Sequence, residues 1–168
     1  VAAHVADQLV GVRGAGVDLN QFPVPKWNPL DGGRYIMTSA TVVTRDPDSG
    51  ILNGGTYRGM ITGKNTIGVL LAMTQGWGKH FSKYKSRGQE MPVAVVIGWD
   101  QTLFLAASTP VNYPEYEMAG SLRGAPVELV KCELSDLLVP ASAEIVLEGF
   151  ISPDPETFTL EGPFSEYP

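Results

Sequence analysis

The chain has 168 residues, of which 43% are apolar and 18% charged, and a formal net charge of −6. That is one domain's worth of chain, enough for a real core, and the composition excludes a disordered segment. The acidic balance excludes a nucleic-acid face and an anionic membrane surface, both of which want basic residues, and no apolar run approaches the ~18 residues that span a bilayer.

The opening Val1-Ala2-Ala3-His4 has neither a basic stretch nor a long apolar core, so it does not read as a signal peptide. It reads as a helix already under way, as in a piece of a longer chain. Val5, Leu9, Val10 and Val12 predict a helix over Ala2 to Val12, ended by Gly14 and Gly16. Phe22 to Leu30 holds three prolines and predicts an extended connection. Residues 1–30 are thus expected to form a helix and a Pro-rich connection, and residues 31–168 the folded domain.

From Arg34 the texture becomes strand and turn. Tyr35 to Thr44 is rich in β-branched residues, and Asp46-Pro47-Asp48-Ser49-Gly50 predicts a hairpin turn. The strand Asn53 to Met60 follows, then strands over Thr56–Thr62 and Thr66–Thr74 around Gly63-Lys64-Asn65. Trp77 to Arg87 predicts a helix stopped by Gly88. Pro92 to Trp99 predicts a buried strand, Ala106 to Pro110 a small-residue turn, and Pro114 to Leu122 a helix opened by proline and an acid. Val127–Cys132 and Ala143–Ile151 complete the strands. The expected class is α+β: mostly antiparallel β, a barrel, with a few peripheral helices. The lone Cys132 cannot form an internal disulfide, which fits a reducing compartment, most simply the cytoplasm.

Three groups could carry chemistry. Glu161 and Glu166 flank Gly162-Pro163, a turn signal, and Phe164, an apolar wall that can raise a carboxyl pKa. An acidic, solvated loop explains the same residues. Glu166 lies near the end of the sequence, where a side chain is expected to be loosely held. Arg58 is expected in mid-strand, either solvent-facing or as a fixed cation aimed into a barrel interior for a carboxylate or phosphate. Gly54, Gly55 and Gly59 would let a flat ligand approach the backbone. Asp31-Gly32-Gly33-Arg34-Tyr35 reads as a turn before a strand, and Glu115 as a helix-capping carboxylate. There is no P-loop, dinucleotide fingerprint, zinc spacing or nucleophile elbow, and His4 and His80 have no metal-pairing partner in sequence.

Taken in order, these segments resemble the UbiD family of decarboxylases from about Phe22 to Glu166. The resemblance rests on Asp31-Gly32-Gly33-Arg34-Tyr35-Ile36, Gly63-Lys64-Asn65, Lys79-His80-Phe81, Arg87-Gly88 and Pro92-Val93-Ala94-Val95. It continues through Ala119-Gly120-Ser121-Leu122-Arg123-Gly124, Pro126 to Glu133, Val139-Pro140-Ala141, Ala143 to Gly149, and Glu161-Gly162-Pro163-Phe164.

The resemblance implies a split β-barrel, flavin-reductase-like, that binds prenylated FMN and adds or removes CO2 on aromatic, heteroaromatic or acrylic acids. It places the family's catalytic set on Arg58, Glu161 and Glu166. Arg58 would hold the substrate carboxylate, Glu166 would donate the proton that replaces CO2, and Glu161 would tune Arg58. Thr38, Thr56, Tyr57, Arg58, Thr74, Gln75, Ala107, Ser108, Thr109 and Pro110 match positions at the cofactor. Asn53 and Glu115 match two ligands of a divalent metal, usually Mn2+, with K+ nearby. The family's third ligand, a histidine, falls at Thr74 or Gln75, and Glu166-Tyr167-Pro168 departs from the family's usual Glu-His-x-Gly-Tyr. Family members are longer, with a C-terminal domain that this sequence lacks. The resemblance implies a flavin prenyltransferase as cofactor supplier and a homodimer or larger oligomer. The alternative is a truncated, non-catalytic flavin-binding or assembly module.

Overall fold

The computed structural model describes residues 12–110 and 113–166. The helix expected over Ala2 to Val12 falls outside them except for Val12. Among the described residues eight strands and three α-helices follow one another: β1 (Thr41–Arg45), β2 (Leu52–Gly55), β3 (Gly59–Gly63), β4 (Thr66–Val69), α1 (Gly76–Ser86), β5 (Met91–Ile97), α2 (Gln101–Ser108), α3 (Glu115–Arg123), β6 (Leu129–Lys131), β7 (Leu138–Pro140) and β8 (Ile145–Ile151). All strand pairings are antiparallel, so the class is α+β as expected.

The strands form three sheets: a central one in the order β2-β1-β5-β8, and the two-stranded pairs β3-β4 and β6-β7. Among the described residues no sheet closes on itself, so the expected barrel is not seen as a closed ladder. β5 and β8 pair over their full lengths, from Met91↔Ile151 to Ile97↔Ile145. Alternation along β5 then sends its side chains to two cores. Val93, Val95 and Ile97 join Val42, Met37, Trp77 and the β3-β4 side chains Ile61, Ile67 and Val69. Ala94 and Val96 join Val43, the β6-β7 side chains Val130 and Val139, and Leu137 just before β7. A third cluster, Leu103, Ala106 and Ala119, locks α2 to α3. Trp77 is fully buried and stacks on Tyr57, ring centroids 4.1 Å apart. Truncating a tryptophan so placed costs about 3–5 kcal/mol.

Several sequence-based expectations need correction. The strand expected over Tyr35–Thr44 begins only at Thr41; Tyr35 makes an isolated antiparallel bridge to Met60, Ile36 to Ser39 are turns, and Ser39 has φ 63°. The strand expected across Asn53–Met60 breaks at Thr56–Arg58, where the chain leaves the central sheet for β3. Arg58 therefore sits at a switch between sheets, not in mid-strand. Ala106–Ser108 are the last turn of α2, because Asp100 caps the helix by accepting from the Thr102 N–H and Leu and Ala carry it forward. β4 stops at Val69, and β7 was not expected. The Asp46–Gly50 turn, α1, β5, α3 and β8 lie where the sequence predicts them to within about two residues.

Candidate active site

Arg58, Glu161 and Glu166 come together although more than a hundred residues separate the arginine from the acids. Arg58 Nε and Nη2 both donate to Glu161 Oε2, at 3.1 and 2.9 Å, and Nη1 donates to Glu166 Oε1 at 2.7 Å. The Glu161 side chain is only 6% exposed, Arg58 21% and Glu166 56%. The trio thus runs from a buried carboxyl to a solvent-facing one, with the guanidinium between. Glu161 Oε1 is buried and makes no hydrogen bond within the protein, although the Tyr35 hydroxyl also acts on this carboxyl; such an acceptor costs free energy unless a ligand or a water completes it.

The two carboxylates raise the Arg58 pKa well above its ordinary range, Glu166 first. The same bond holds Glu166 below its ordinary value. This corrects the expectation of a raised carboxyl pKa at this position: the cation at hydrogen-bond distance outweighs desolvation, and a backbone hydrogen bond at Phe164 lowers the pKa further. Burial, with the Glu161 carboxyl as the next cause, pushes the Tyr35 phenol up to about 12. Its hydroxyl donates to the Pro163 carbonyl at 3.3 Å, a long bond.

The segment carrying both acids is held by the Asp31-Gly32 turn. Gly32 N–H donates to Pro163 O at 2.8 Å, and Ser165 N–H donates to Asp31 Oδ1 at 3.1 Å. Tyr35 packs on Phe164, centroids 4.3 Å apart. A Cβ at Gly32 would collide with the Gly162 carbonyl, and Gly162 itself has φ 104°, so both positions require glycine. The Gly32–Pro163 and Ser165–Asp31 hydrogen bonds tie the backbone before Glu166 to the Asp31-Gly32 turn. Sequence reasoning gave Asp31 and Tyr35 only a turn and a strand start, and did not single out Asn28 or Ser165. The Asp-Gly-Gly run was the available signal.

A second group lies along β2. Glu115, the first residue of α3, accepts from the Gly54 N–H at 3.2 Å, so its carboxyl lies on β2 one residue along from Asn53. Asn53 Nδ2 donates to Tyr57 Oη at 3.3 Å, and Asn53 Oδ1 stands against Gly76 at the start of α1. Gln75 caps that helix, with Thr74 before it, both exposed. Asn53 thus lies beside the segment where the third ligand was expected, and Glu115 is held on the same strand by the Gly54 N–H. Among the described residues no group of three His, Cys, Asp or Glu could hold a metal.

Ser108 Oγ lies 3.4 Å from Thr56 Oγ1, so the end of α2 meets the switch segment. Thr109 and Thr38 bond back to the Leu105 and Tyr35 carbonyls, and Ala107 and Pro110 flank this helix end. The glycines expected to admit a flat ligand are occupied from within: the space at Gly55 holds the Tyr57 hydroxyl, that at Gly59 holds Met37, and Gly54 abuts Glu115.

The sequence matches, over residues 2–168, the family described as UbiD: 3-octaprenyl-4-hydroxybenzoate carboxy-lyase Rift-related domain. The chain belongs to the UbiD family. A phenolic acid decarboxylase of Sedimentibacter hydroxybenzoicus is 40% identical over 162 residues, covering 90% of this chain and 33% of that protein. An uncharacterized protein of Aquifex aeolicus is 40% identical over 153 residues, covering 90% of this chain and 31% of its own length. The UbiD chain thus spans about a third of the curated relatives it matches. Among solved structures, an evolved dimeric form of the UbiD-class enzyme HmfF from Pelotomaculum thermopropionicum, in complex with prFMN, superposes with TM-score 0.82 at 38% identity. That match covers 91% of this chain and 36% of HmfF. The closed form of S. hydroxybenzoicus vanillic acid decarboxylase gives 0.79 at 38% identity, covering 87% and 32%.

Proposed function

We propose that this chain is the prenylated-FMN-holding domain of a reversible, non-oxidative decarboxylase acting on aromatic, heteroaromatic or acrylic carboxylic acids. The observation that carries the reading is the grouping of Arg58 with Glu161 and Glu166. The residues suit such a cofactor: Glu161 Oε1 is buried and makes no hydrogen bond within the protein, and the Thr56 and Ser108 hydroxyls meet nearby in the chain. We read the three sheets as parts of a split barrel formed by residues 31–168.

Prenylated FMN, when bound, supplies the electron-accepting centre that lets a carboxyl group leave. Arg58 receives the substrate carboxylate, which suits its planar, always charged fork. An arriving carboxylate competes with Glu166 for Nη1. Glu166 then loses the partner that depresses its pKa, and it takes up a proton from solvent. The carboxyl leaves as CO2, the bonding electrons stay on the substrate carbon, and Glu166 supplies the proton that replaces it. Glu161 keeps Arg58 aimed through Oε2.

Asn53 and Glu115 would hold a divalent cation such as Mn2+, since an all-oxygen donor set suits a hard ion. Thr74 or Gln75 stands where the family's third ligand falls, and a K+ would bind nearby. A flavin prenyltransferase would supply the cofactor, and assembly is read as a homodimer or larger oligomer. Buried Cys132 fits a reducing compartment such as the cytoplasm. Among the described residues no helix is long and apolar enough to cross a membrane. Having two metal donors instead of three favours a second reading, a flavin-holding module without turnover. The test is CO2 release by the flavin-loaded chain from hydroxybenzoates, heteroaromatic carboxylates and acrylic acids. Release that disappears in Arg58→Ala supports the first reading; bound flavin with no release supports the second.

A further inference from the structure

We propose that Asp31 is a positioning residue for the proton donor Glu166. The proposal rests on the decarboxylase reading for what Glu166 does, but the clamp it describes belongs to the chain itself. Asp31 is 2% exposed. Burying a carboxyl is costly unless its oxygens are taken up, and both are. Oδ2 accepts from the Asn28 N–H at 2.8 Å, and Oδ1 accepts from the Ser165 N–H at 3.1 Å, across 134 residues of chain. Asn28 closes the loop from its other end, its Nδ2 donating to Ser165 Oγ at 3.0 Å.

Ser165 is the informative partner. It has φ 58°, the left-handed region that a serine adopts only when its surroundings impose it. Asp31 holds its N–H and Asn28 its hydroxyl. The chain direction leaving Ser165 decides where Glu166 begins, and Glu166 must begin where its carboxyl reaches Arg58 Nη1 and the carbon that CO2 vacates. Without the Asp31 bond, Ser165 relaxes toward ordinary extended or helical backbone, and Glu166 swings away. Misplacement by about 1 Å can cost 10²-fold in rate, so this bond governs proton delivery without touching substrate.

The test uses Asp31→Ala in the full chain, with two readouts. The first is residue-resolved amide hydrogen exchange in the cofactor-free chain. Ser165 should exchange at least tenfold faster in the variant, while the β5 amides of Val93 to Val96 exchange as before. The second is steady-state kinetics of the flavin-loaded chain. Flavin content and KM should stay within about twofold, kcat should fall at least tenfold, and the acid limb of the kcat–pH profile should move, because distance from Arg58 sets the proton affinity of Glu166. If the β5 amides also open in Asp31→Ala, Asn28→Ala replaces it, with a several-fold effect on the same two readouts. Unchanged Ser165 exchange overturns the proposal, and so does faster exchange with unchanged kcat and pH profile. A wild-type chain that releases no CO2 overturns the decarboxylase reading and the positioning role together, while the exchange difference still stands as evidence for the clamp.

Discussion

Glu161 takes both of its Arg58 hydrogen bonds on one oxygen, Oε2, and leaves Oε1 buried with no hydrogen bond within the protein. A purely structural ion pair would be expected to share the fork between both oxygens, as bidentate pairs do. The one-sided arrangement leaves an acceptor and part of the guanidinium for something else.

Replacing Arg58 by alanine should abolish turnover with the fold intact. It also strands the Glu161 carboxyl, 6% exposed, at a cost of about 1–3 kcal/mol for an unpaired buried polar group. The far-UV circular dichroism spectrum should match wild type, the melting temperature should drop by a few degrees, and CO2 release should be undetectable. Retained release would remove Arg58 from the mechanism.

Glu166→Gln keeps the shape and removes the proton. Flavin content should be unchanged and kcat should fall by about 10²–10⁴, the usual weight of a positioned general acid. Arg58 holds the Glu166 carboxyl below its ordinary range. Its titration, followed by NMR at the side-chain carboxyl carbon, should therefore move upward in Arg58→Ala. An unmoved titration would mean that the ion pair does not form in solution.

A second polar cluster bears on stability, not chemistry. His80 is buried on α1, with Nδ1 2.9 Å from Thr44 Oγ1 and Nε2 4.0 Å from Asp46 Oδ2, while Lys83 lies on the same helix. Burial depresses its pKa; Asp46 opposes this and Lys83 adds to it. The unfolded chain therefore binds this proton more readily. Its contribution to stability is present above the ordinary histidine pKa of about 6.5 and is lost as pH falls below it. Urea midpoints should fall between about pH 7 and pH 5, and His80→Asn, which can keep the Thr44 hydrogen bond, should flatten that slope.

Lys83 ties α1 to the β1-β2 turn by donating to Asp46 Oδ2 at 2.6 Å and reaching Asp48 Oδ2 at 3.0 Å; Arg87 also bonds Asp48. The Lys83 bond is the main cause of an Asp46 pKa held down at about 2. The Asp46 contribution is complete above about pH 4 and is lost as pH falls from there toward 2. Because Lys83 is 39% exposed, solvent screening leaves the pair a weak contributor to stability. Lys83→Met should lower the melting temperature by about 2–4 °C at neutral pH, with a smaller difference from wild type at pH 2.

Leu105, Leu122, Phe150 and Leu160 are 55%, 50%, 49% and 94% exposed. Apolar exposure of this kind favours self-association. Light scattering at modest concentration should give a mass above the monomer, and a clean monomer would remove the oligomer from the account.

The parts of the fold that the sequence made legible are those with a local cause. The Asp46–Gly50 turn, the Gly88 stop after α1, the acid at the start of α3 and the apolar run of β5 each carry their own signal. Arg58 did not. Its strand-like neighbours suggested a mid-strand place, and only the pairing of Val42 with Gly55 and of Gly59 with Val69 shows the chain changing sheets at Thr56–Arg58. α2 was hidden because Ala-Ala-Ser-Thr-Pro looks like a turn until the Asp100 cap is seen upstream. Arg58, Glu161 and Glu166 stood out one group at a time from pattern, each with a bland alternative, and only the family resemblance joined them into one set. The Asp31–Ser165 bond and the Glu161–Arg58 geometry are long-range pairings that no local period encodes.

The most direct measurement is the absorbance spectrum and ligand mass of this chain produced together with a flavin prenyltransferase and supplied with Mn2+ and K+. The account predicts a coloured protein carrying prenylated FMN, with the cofactor lost or weakened in Asn53→Ala and Glu115→Ala. A colourless, ligand-free protein under the same conditions would contradict it, leaving Arg58, Glu161 and Glu166 as an ion-pair cluster without a cofactor to serve.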